Sequence, residues 1–348
     1  MLKRFFFLAL LLILPYEAWA SRDSTAADTT VMKRSKTHLW RSLSRTVYED
    51  SVYAGRPTAR RDSSYEGVED VQKHVMNASD STFYAWPYDV VVDSAGLGHR
   101  TTLGTVSVSN RKIYVARGTY AGTNTISGSR NTIYVASGAT FTGVITVSGN
   151  NNHLLFENGV QTIGIILSGN FNVLDGGGWK TLVAGGAADG VTASGTDNII
   201  RNLSASNSTG AKDAIGNSAA TMGARNQVLN CLVITSSGSA IRVGNDNLIQ
   251  GNVILTASGD AIRINGVRAR VIGNEVVTTS VGQKGLTAGS GASHLVVVSN
   301  TIRAYGSDGM TFEAGSDSSI ITANRVDSLI TNSGTGNTTT GNVVFVMP

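Results

Sequence analysis

The pattern of apolar and polar positions changes twice along the chain. Residues 5–15 form one apolar run behind a short basic head, and Ala18-Trp19-Ala20 follows soon after. This arrangement is typical of a secretory signal peptide. Because the run is shorter than the roughly 18 residues that a membrane span needs, it does not predict an anchor. We therefore expect residues 1–20 to be a signal peptide on an exported protein with no membrane span.

The second segment, residues 21–85, mixes charged residues with apolar residues spaced three to four apart. Ser63 and Glu66 form a capping box before the valines at 68, 71 and 75, which indicates a helix start. We predict a charged, partly helical linker, attachment arm or pro-segment. The sequence leaves open whether this segment is removed.

From residue 86 to residue 348, short runs of Val and Ile alternate with Ser, Thr, Asn and Gly. No proline occurs between Pro87 and Pro348. Proline deletes a hydrogen bond from a β-ladder, so a long proline-free stretch of this texture suits continuous strands. The pattern predicts an all-β domain over residues 86–348.

Asparagine recurs at one place in a repeated motif of short apolar runs. The positions are Asn202, Asn230, Asn252, Asn274, Asn300, Asn324 and Asn342, with successive steps of 28, 22, 22, 26, 24 and 18. Ser-Gly pairs at 127, 148 and 168 recur at a similar spacing. A period of about 20–28 residues with no helical segment predicts a β-solenoid. We expect the asparagines at 252, 274, 300 and 324 to stack in one ladder.

These coils resemble a known family of folds. The Gly-Asn-x-Ile/Val and Ser-Gly-Asp-Ala-Ile patterns are similar to those of right-handed parallel β-helices of the pectin-lyase-like superfamily. So are residues 88–93 with 112–120, and Leu174–Gly178. The asparagine-rich coils look most like bacteriophage tail-spike and tail-fibre β-helices. The resemblance covers residues 88–345 and implies a right-handed parallel β-helix, a secreted or virion-surface location, and a homotrimer.

A second set of positions also repeats at about the coil length. It comprises Asp189, Asp213, Ser239, Asp260, Lys284 and Asp308. Stacked coils are about 4.8 Å apart, so carboxylates two coils apart are separated by about 9.6 Å, near the range of inverting glycosidases. Asp213, Asp260, Lys284 and Asp308 are therefore the candidate catalytic residues. The competing interpretation, which we favour, is that these residues satisfy the backbone of their own turns.

Three residues further on, the aligned positions place two arginines side by side. That column reads Thr192, Gly216, Arg242, Arg263, Thr287 and Thr311. Adjacent like charges repel unless an anion bridges them, so Arg242, Arg263 and Glu313 are the candidate ligand-binding residues for an acidic glycan. In that case, replacing both arginines would leave thermal stability nearly unchanged. Alternatively, Asp213, Asp260 or Glu313 already pairs with them, and the replacement would destabilise the protein.

Composition and charge exclude several classes of function. The chain has 348 residues, 15% of them charged, with a formal net charge of +4, which does not favour nucleic-acid binding. A single cysteine excludes an intrachain disulfide framework and a cysteine-rich zinc site. The five histidines show no metal-binding spacing. We predict no metal and no cofactor.

Three functions compete for this chain. We favour a surface or virion β-helix that recognises a polysaccharide or cell-surface glycan without catalysis. The Asp-Asp pair, Gly-His-Gly and Arg-x-Pro-x-x-Arg motifs of enzymatic members of the superfamily are absent from the coils. The alternative is a polysaccharide lyase or glycoside hydrolase that acts on an acidic glycan. A weaker alternative is ice binding through Thr287 and Thr311, which nearby cations interrupt.

Overall fold

The computed structural model describes residues 88–94, 100–185, 189–207, 212–219, 221–235, 238–256, 258–305 and 308–345. The predicted signal peptide and arm lie outside these ranges. Every regular element in the described residues is a β-strand. Within the same residues, no helix has the length and apolar character to cross a membrane.

Within the described ranges, thirty-four short strands, numbered β1–β34 in chain order, form three parallel sheets, A, B and C. Sheet A contains β1 (Val90–Val92), β3 (Lys112–Val115), β6 (Thr132–Val135), β9 (His153–Phe156), β12 (Val173–Asp175), β15 (Ile199–Arg201), β18 (Gln227–Leu229), β21 (Leu248–Gln250), β24 (Arg270–Ile272), β27 (Val296–Val298), β30 (Ile320–Thr322) and β33 (Thr338–Thr340). Sheet B contains β2 (Gly104–Val106), β5 (Asn124–Ile126), β8 (Ile145–Val147), β11 (Ile165–Leu167), β14 (Val191–Ala193), β17 (Ile215–Gly216), β20 (Ile241–Val243), β23 (Ile262–Ile264), β26 (Leu286–Ala288), β29 (Met310–Phe312) and β32 (Ile330–Asn332). Sheet C contains β4 (Gly118–Tyr120), β7 (Ala139–Phe141), β10 (Gln161–Thr162), β13 (Leu182–Gly185), β16 (Ser204–Asn207), β19 (Leu232–Thr235), β22 (Val253–Thr256), β25 (Glu275–Thr278), β28 (Thr301–Ala304), β31 (Arg325–Val326) and β34 (Val343–Val344).

The chain visits sheets A, C and B in turn and then returns to sheet A one level further on. Each strand pairs in parallel with its equivalent in the next coil, which gives a β-solenoid of about eleven coils. The coils differ in length on sheet A: the shortest connects the paired Ile321 and Thr339, and the longest connects Ile200 and Val228. This confirms the predicted parallel β-solenoid and its uneven period.

The core is a stack of apolar side chains that point into the solenoid. Residues alternate between inside and outside along each strand, so an inner position repeats in every coil. Most inner residues are Ile, Val and Leu, whose shapes suit a pleated surface. On sheet A the buried column reads Ile113, Ile133, Leu154, Leu174, Ile200, Val228, Ile249, Val271, Val297 and Ile321.

An asparagine ladder runs along the corner between sheets A and C. Asn252, Asn274, Asn300, Asn324 and Asn342 occupy one stacked position. From Asn274 onward, the Oδ1 of each accepts the backbone N–H and the Nδ2–H of the preceding asparagine at 2.9–3.0 Å. Every Nδ2 also donates to a sheet A carbonyl. The predicted ladder of four asparagines is confirmed, and the fifth extends it.

The register of two earlier asparagines was wrong by one residue. Leu232 pairs with Val253, so Cys231, and not Asn230, occupies the ladder position. Asn202 and Asn230 precede that position with φ of 54° and 52°. Asparagine tolerates this left-handed conformation better than most residues, and the next two coils place glycine there. Asn202 and Asn230 therefore recur because the corner requires a residue that tolerates positive φ, and their spacing resembles that of the ladder.

A second ladder lies at the corner between sheets B and A. The Oδ1 of each of its asparagines accepts the backbone N–H of the equivalent residue one coil earlier, at 2.7–2.9 Å. These buried residues are Asn131, Asn152, Asn172, Asn198 and Asn226. One residue earlier, outside the solenoid, Asp197 pairs with Arg225 and Asp246 with Arg268, each through two short contacts. The corners therefore carry much of the polar stabilisation.

Candidate functional site

The two aligned columns of the sequence lie together on one side of the solenoid. Ile215 of β17 pairs with Ile241 of β20, and the register continues through β23, β26 and β29. Arg242 therefore lies next to Arg263 on neighbouring strands, and Arg263 lies next to Thr287. The Asp/Ser/Lys column lies two residues before the first inner residue of each strand, in the turns that connect sheets C and B.

An open groove of about 490 Å³ lies over these coils. Its walls come from the C-to-B turns, and its floor comes from the outer face of sheet B. The lining residues are Gly238, Ser239, Arg242, Gly259, Asp260, Arg263, Asn265 and Gln283. Three of the residues singled out from the sequence, Arg242, Arg263 and Asp260, thus meet in one place.

Arg242 is held by a buried carboxylate. Its Nε lies 2.6 Å from Oδ2 of Asp213 and its Nη2 lies 3.2 Å from Oδ1. The Asp213 side chain has no exposed surface, and that of Arg242 is only 18% exposed. Burial raises the pKa of Asp213 despite the opposing effect of the Arg242 hydrogen bond, whereas the Asp213 hydrogen bond raises the pKa of Arg242. Arg242 is thus held in its charged form against Asp213.

Arg263 is held much less tightly. Its Nη1 lies 3.3 Å from Oδ2 of Asp260, three residues earlier in the same coil, and its side chain is 36% exposed. Within the described part of the chain, no other hydrogen bond engages its guanidinium. Its remaining N–H groups are therefore available to a ligand in the groove.

The arginine pair does not need an acidic ligand to offset its repulsion. Each arginine has its own carboxylate, Asp213 for Arg242 and Asp260 for Arg263. The alternative interpretation, pairing from a neighbouring column, is the one that the contacts support. The physical reason is that the column of turn residues lies within reach of the column of strand residues on the same face.

The aspartates of the turns also satisfy backbone groups. Asp189 accepts hydrogen bonds from the backbone N–H of Asp213 at 2.8 Å and of Ser218 at 2.9 Å. Asp213 accepts one from the N–H of Ser239 at 3.2 Å. In a later coil Oε1 of Gln283 takes the same kind of role for the N–H of Gly259. These hydrogen bonds support the interpretation that the repeated side chains satisfy the backbone of the turns.

The other candidate residues lie apart from the lining. Lys284 and Asp308 follow Asp260 in the column of turn residues, and Oδ2 of Asp308 accepts a hydrogen bond from the Thr311 hydroxyl at 3.3 Å. Glu313 follows β29, and its Oε2 accepts the N–H of Ser290 at 3.1 Å. None of these three belongs to the groove lining in the described residues. Glu313 is also not a partner of either arginine.

The geometry does not bring two carboxylates together on the ligand side. Asp213 is buried, and both of its carboxylate oxygens accept hydrogen bonds. Asp213 and Asp260 therefore do not form a pair of carboxylates that face the groove. Asp260 is the only carboxylate among the lining residues. In the described residues, no cluster of His, Cys, Asp or Glu could hold a metal ion. Cys231 is buried, which raises the pKa of its thiol to about 12.

Several features of the surface were not identified from the sequence. Gln283 and Asn265 line the groove although neither belongs to a repeated column. The only indication of these two residues in the sequence was their position near the aligned arginines. Gln283 lies in a turn, and Asn265 lies just after a strand. Among the aromatic residues, Tyr120 and Phe312 are buried, whereas Trp179 and Tyr305 are about half exposed.

Comparisons with known proteins give little information about this chain. No protein-family model matches the chain, and no curated protein matches it. Among solved structures it is similar to the Dettilon tailspike protein (gp208), with 13% identity and a TM-score of 0.40, over 67% of this chain and 62% of that chain. The chain thus spans less than two thirds of that protein's length. Nothing about a ligand is transferred from it.

Proposed function

We propose that this chain is an exported or virion-type surface β-helix that recognises an acidic carbohydrate in the groove on sheet B, without cleaving it. The predicted signal peptide supports export, and a homotrimer remains the predicted assembly. The groove is open and lies along the stack of coils, which suits an extended polymer chain. Solenoids present extended binding surfaces of this kind.

The main support for this proposal is that the groove contains hydrogen-bond donors that no other described residue uses. The guanidinium of Arg263 has one contact, and Gln283 uses its Oε1 but not its amide N–H groups. Asn265 contributes a second side-chain amide to the lining. Donors that face a groove match the carboxylate and hydroxyl oxygens of an acidic glycan, and an arginine can bind a carboxylate through two parallel bonds.

The arrangement favours binding over cleavage. Glycoside hydrolysis by either stereochemical route uses two carboxyl groups that flank the bond, and the lining provides only Asp260. Arg242 is held charged by the buried Asp213, so it is a poor proton acceptor. Its role is to hold the floor of the groove in place beside Arg263.

The test measures binding of hexagalacturonate, alginate and heparin to the full chain by calorimetry. Arg263→Gln should weaken binding of the recognised polymer about tenfold, because a charged hydrogen bond is lost. Arg270→Gln removes the same charge from an exposed position on β24 of sheet A and should bind normally. Binding should also weaken as salt rises.

Three results would count against the proposal. Equal affinities of Arg263→Gln and the unaltered chain, or no binding to any of the three polymers, would remove the groove as the site. Release of unsaturated uronates or reducing ends on incubation would show cleavage and favour the enzyme alternative.

A further inference from the structure

An unusually long turn connects β12 to β13 at the corner between sheets A and C. It comprises residues 176–181, whereas the equivalent turns of the next two coils are much shorter, 202–203 and 230–231. Because this turn is longer than the turns of the next two coils, it can project from the solenoid and fold over them. The projecting turn therefore adds surface at this corner that the next two coils lack.

Three consecutive glycines fix the path of this turn. A side chain at Gly176 would collide with Cβ of Leu203, and one at Gly177 would collide with the carbonyl oxygen of Phe156. Gly177 and Gly178 also have φ of 65° and 148°, which other residues rarely adopt. The backbone N–H groups of Gly176 and Gly178 donate to carbonyls of the next coil at 2.9 Å and 2.8 Å. The turn is therefore pinned onto the solenoid.

This turn places Trp179 across the surface. Its Nε1–H donates to the carbonyl oxygen of Asn230, two coils further on, at 2.8 Å. The residue is nevertheless 48% exposed. Tryptophan that is buried for stability hides its rings, whereas here the polar N–H is satisfied and apolar ring surface remains open. The indole is thus held in one orientation with its surface available.

An ion pair is formed by Asp175, the residue that precedes the same turn. Oδ2 of Asp175 accepts a hydrogen bond from Nε of Arg201 at 2.7 Å, and its Oδ1 accepts from Asn202 at 3.1 Å. The Arg201 side chain is 43% exposed. The hydrogen bond from Nε to Asp175 orients the guanidinium of Arg201 but does not use its terminal N–H groups.

We propose that Trp179 and Arg201 form a second carbohydrate-binding site. A pyranose ring packs its C–H face on the indole, and its hydroxyl or carboxylate oxygens accept hydrogen bonds from the terminal N–H groups of Arg201. Fixed aromatic surfaces beside a few oriented polar groups are the usual composition of ligand sites. This site lies at the A–C corner beside β12, β15 and β18, whereas the groove lies over β20 and β23.

The experiment observes the indole N–H signals of the four tryptophans in the full ¹⁵N-labelled chain. Trp179→Phe assigns the Trp179 signal by its loss. The probes are maltohexaose, cellohexaose, chitohexaose and hexagalacturonate at millimolar concentration. At least one should shift the Trp179 signal, and Trp179→Ala should weaken its binding about tenfold, the loss typical of one stacked ring.

Three comparisons make the result specific. Trp179→Phe keeps a ring and should retain most of the affinity, which separates stacking from a folding defect. Phe171→Ala removes another exposed aromatic from a different corner and should have no effect. Arg263→Gln should also have no effect on the Trp179 signal, so this site and the groove can fail separately.

The proposal is wrong if none of the four probes shifts the Trp179 signal, or if Trp179→Ala binds the shifting probe as the unaltered chain does. A change in sedimentation from oligomer to monomer in Trp179→Ala, with no sugar bound, would instead assign this surface to a contact between copies of the chain.

Discussion

Arg242 and Arg263 show how neighbours of one type can have different roles. They lie side by side on adjacent strands, but Arg242 pairs with a fully buried carboxylate and Arg263 with a partly exposed one. A buried charge that loses its partner is strongly unfavourable, whereas an exposed pair contributes little. We therefore expect stability to depend on Arg242 and Asp213, whereas Arg263 keeps N–H groups for the proposed ligand.

This difference predicts unequal effects of removing the two aspartates. Asp213→Asn should lower the free energy of unfolding by about 3 kcal/mol, because it leaves the Arg242 charge without a partner in a mostly buried place. Asp260→Asn is the matched control and should cost less than about 1 kcal/mol. Urea unfolding of both variants measures the difference. Equal midpoints would mean that the buried pair adds nothing to stability.

At the scale of elements, the corners decide how the coils are held in register. Strands of three or four residues have few ladder hydrogen bonds of their own. The asparagine ladders add side-chain bonds that connect each coil to both neighbours. Because these groups are buried, each lost partner leaves a polar group unsatisfied, which costs about 1–3 kcal/mol.

Asn274→Ala should therefore be strongly destabilising. It removes the acceptor of both the N–H and the Nδ2–H of Asn252 and the donors to Ile249 and Asn300. We expect a loss of about 3 kcal/mol in the free energy of unfolding. Asn342→Ala, at the half-buried end of the same ladder, should cost about 1 kcal/mol. If thermal denaturation shows the same small loss for both, the ladder does not stabilise the stack.

At the scale of the whole solenoid, pairs between coils make stability depend on pH. Burial opposes ionisation of Asp175, but hydrogen bonds from Gly177, Asn202 and Arg201 outweigh it and lower the pKa of Asp175 below its ordinary 3.8. Hydrogen bonds from arginines of the next coil lower the pKa of Asp197 and of Asp246. A lowered pKa in the folded state gives stability that is present above the unfolded value and lost as pH falls through the folded one. Asp213, whose pKa is raised by burial, acts in the opposite direction.

We therefore expect the melting temperature to fall on acidification below about pH 4, where these aspartates take up protons on unfolding. Asp175→Asn should have a lower melting temperature than the unaltered chain at pH 7, and this difference should shrink towards pH 3. Calorimetric scans at several pH values check it. A constant difference across that range would show that the charge of Asp175 does not contribute.

The solenoid and most of its register could be predicted from the amino-acid pattern. An apolar residue at every second position of each short run fixes which side faces the core, because a shift by one residue would turn that whole run outward. This is why the columns at Asp213 and Arg242, and the ladder from Asn252, could be aligned without a structure. The same rule does not constrain corners, so Asn202 and Asn230 were placed one residue away from their position.

The contacts of the surface side chains became known only from the folded chain. Whether Arg242 pairs with Asp213 depends on the reach of one side chain across to the neighbouring coil. The orientation of Trp179 depends on a turn that folds over two later coils. These contacts join residues 29 and 51 positions apart in the chain. The apolar pattern sets the stacking of strands, but it carries no information about how turns of unequal length meet above them.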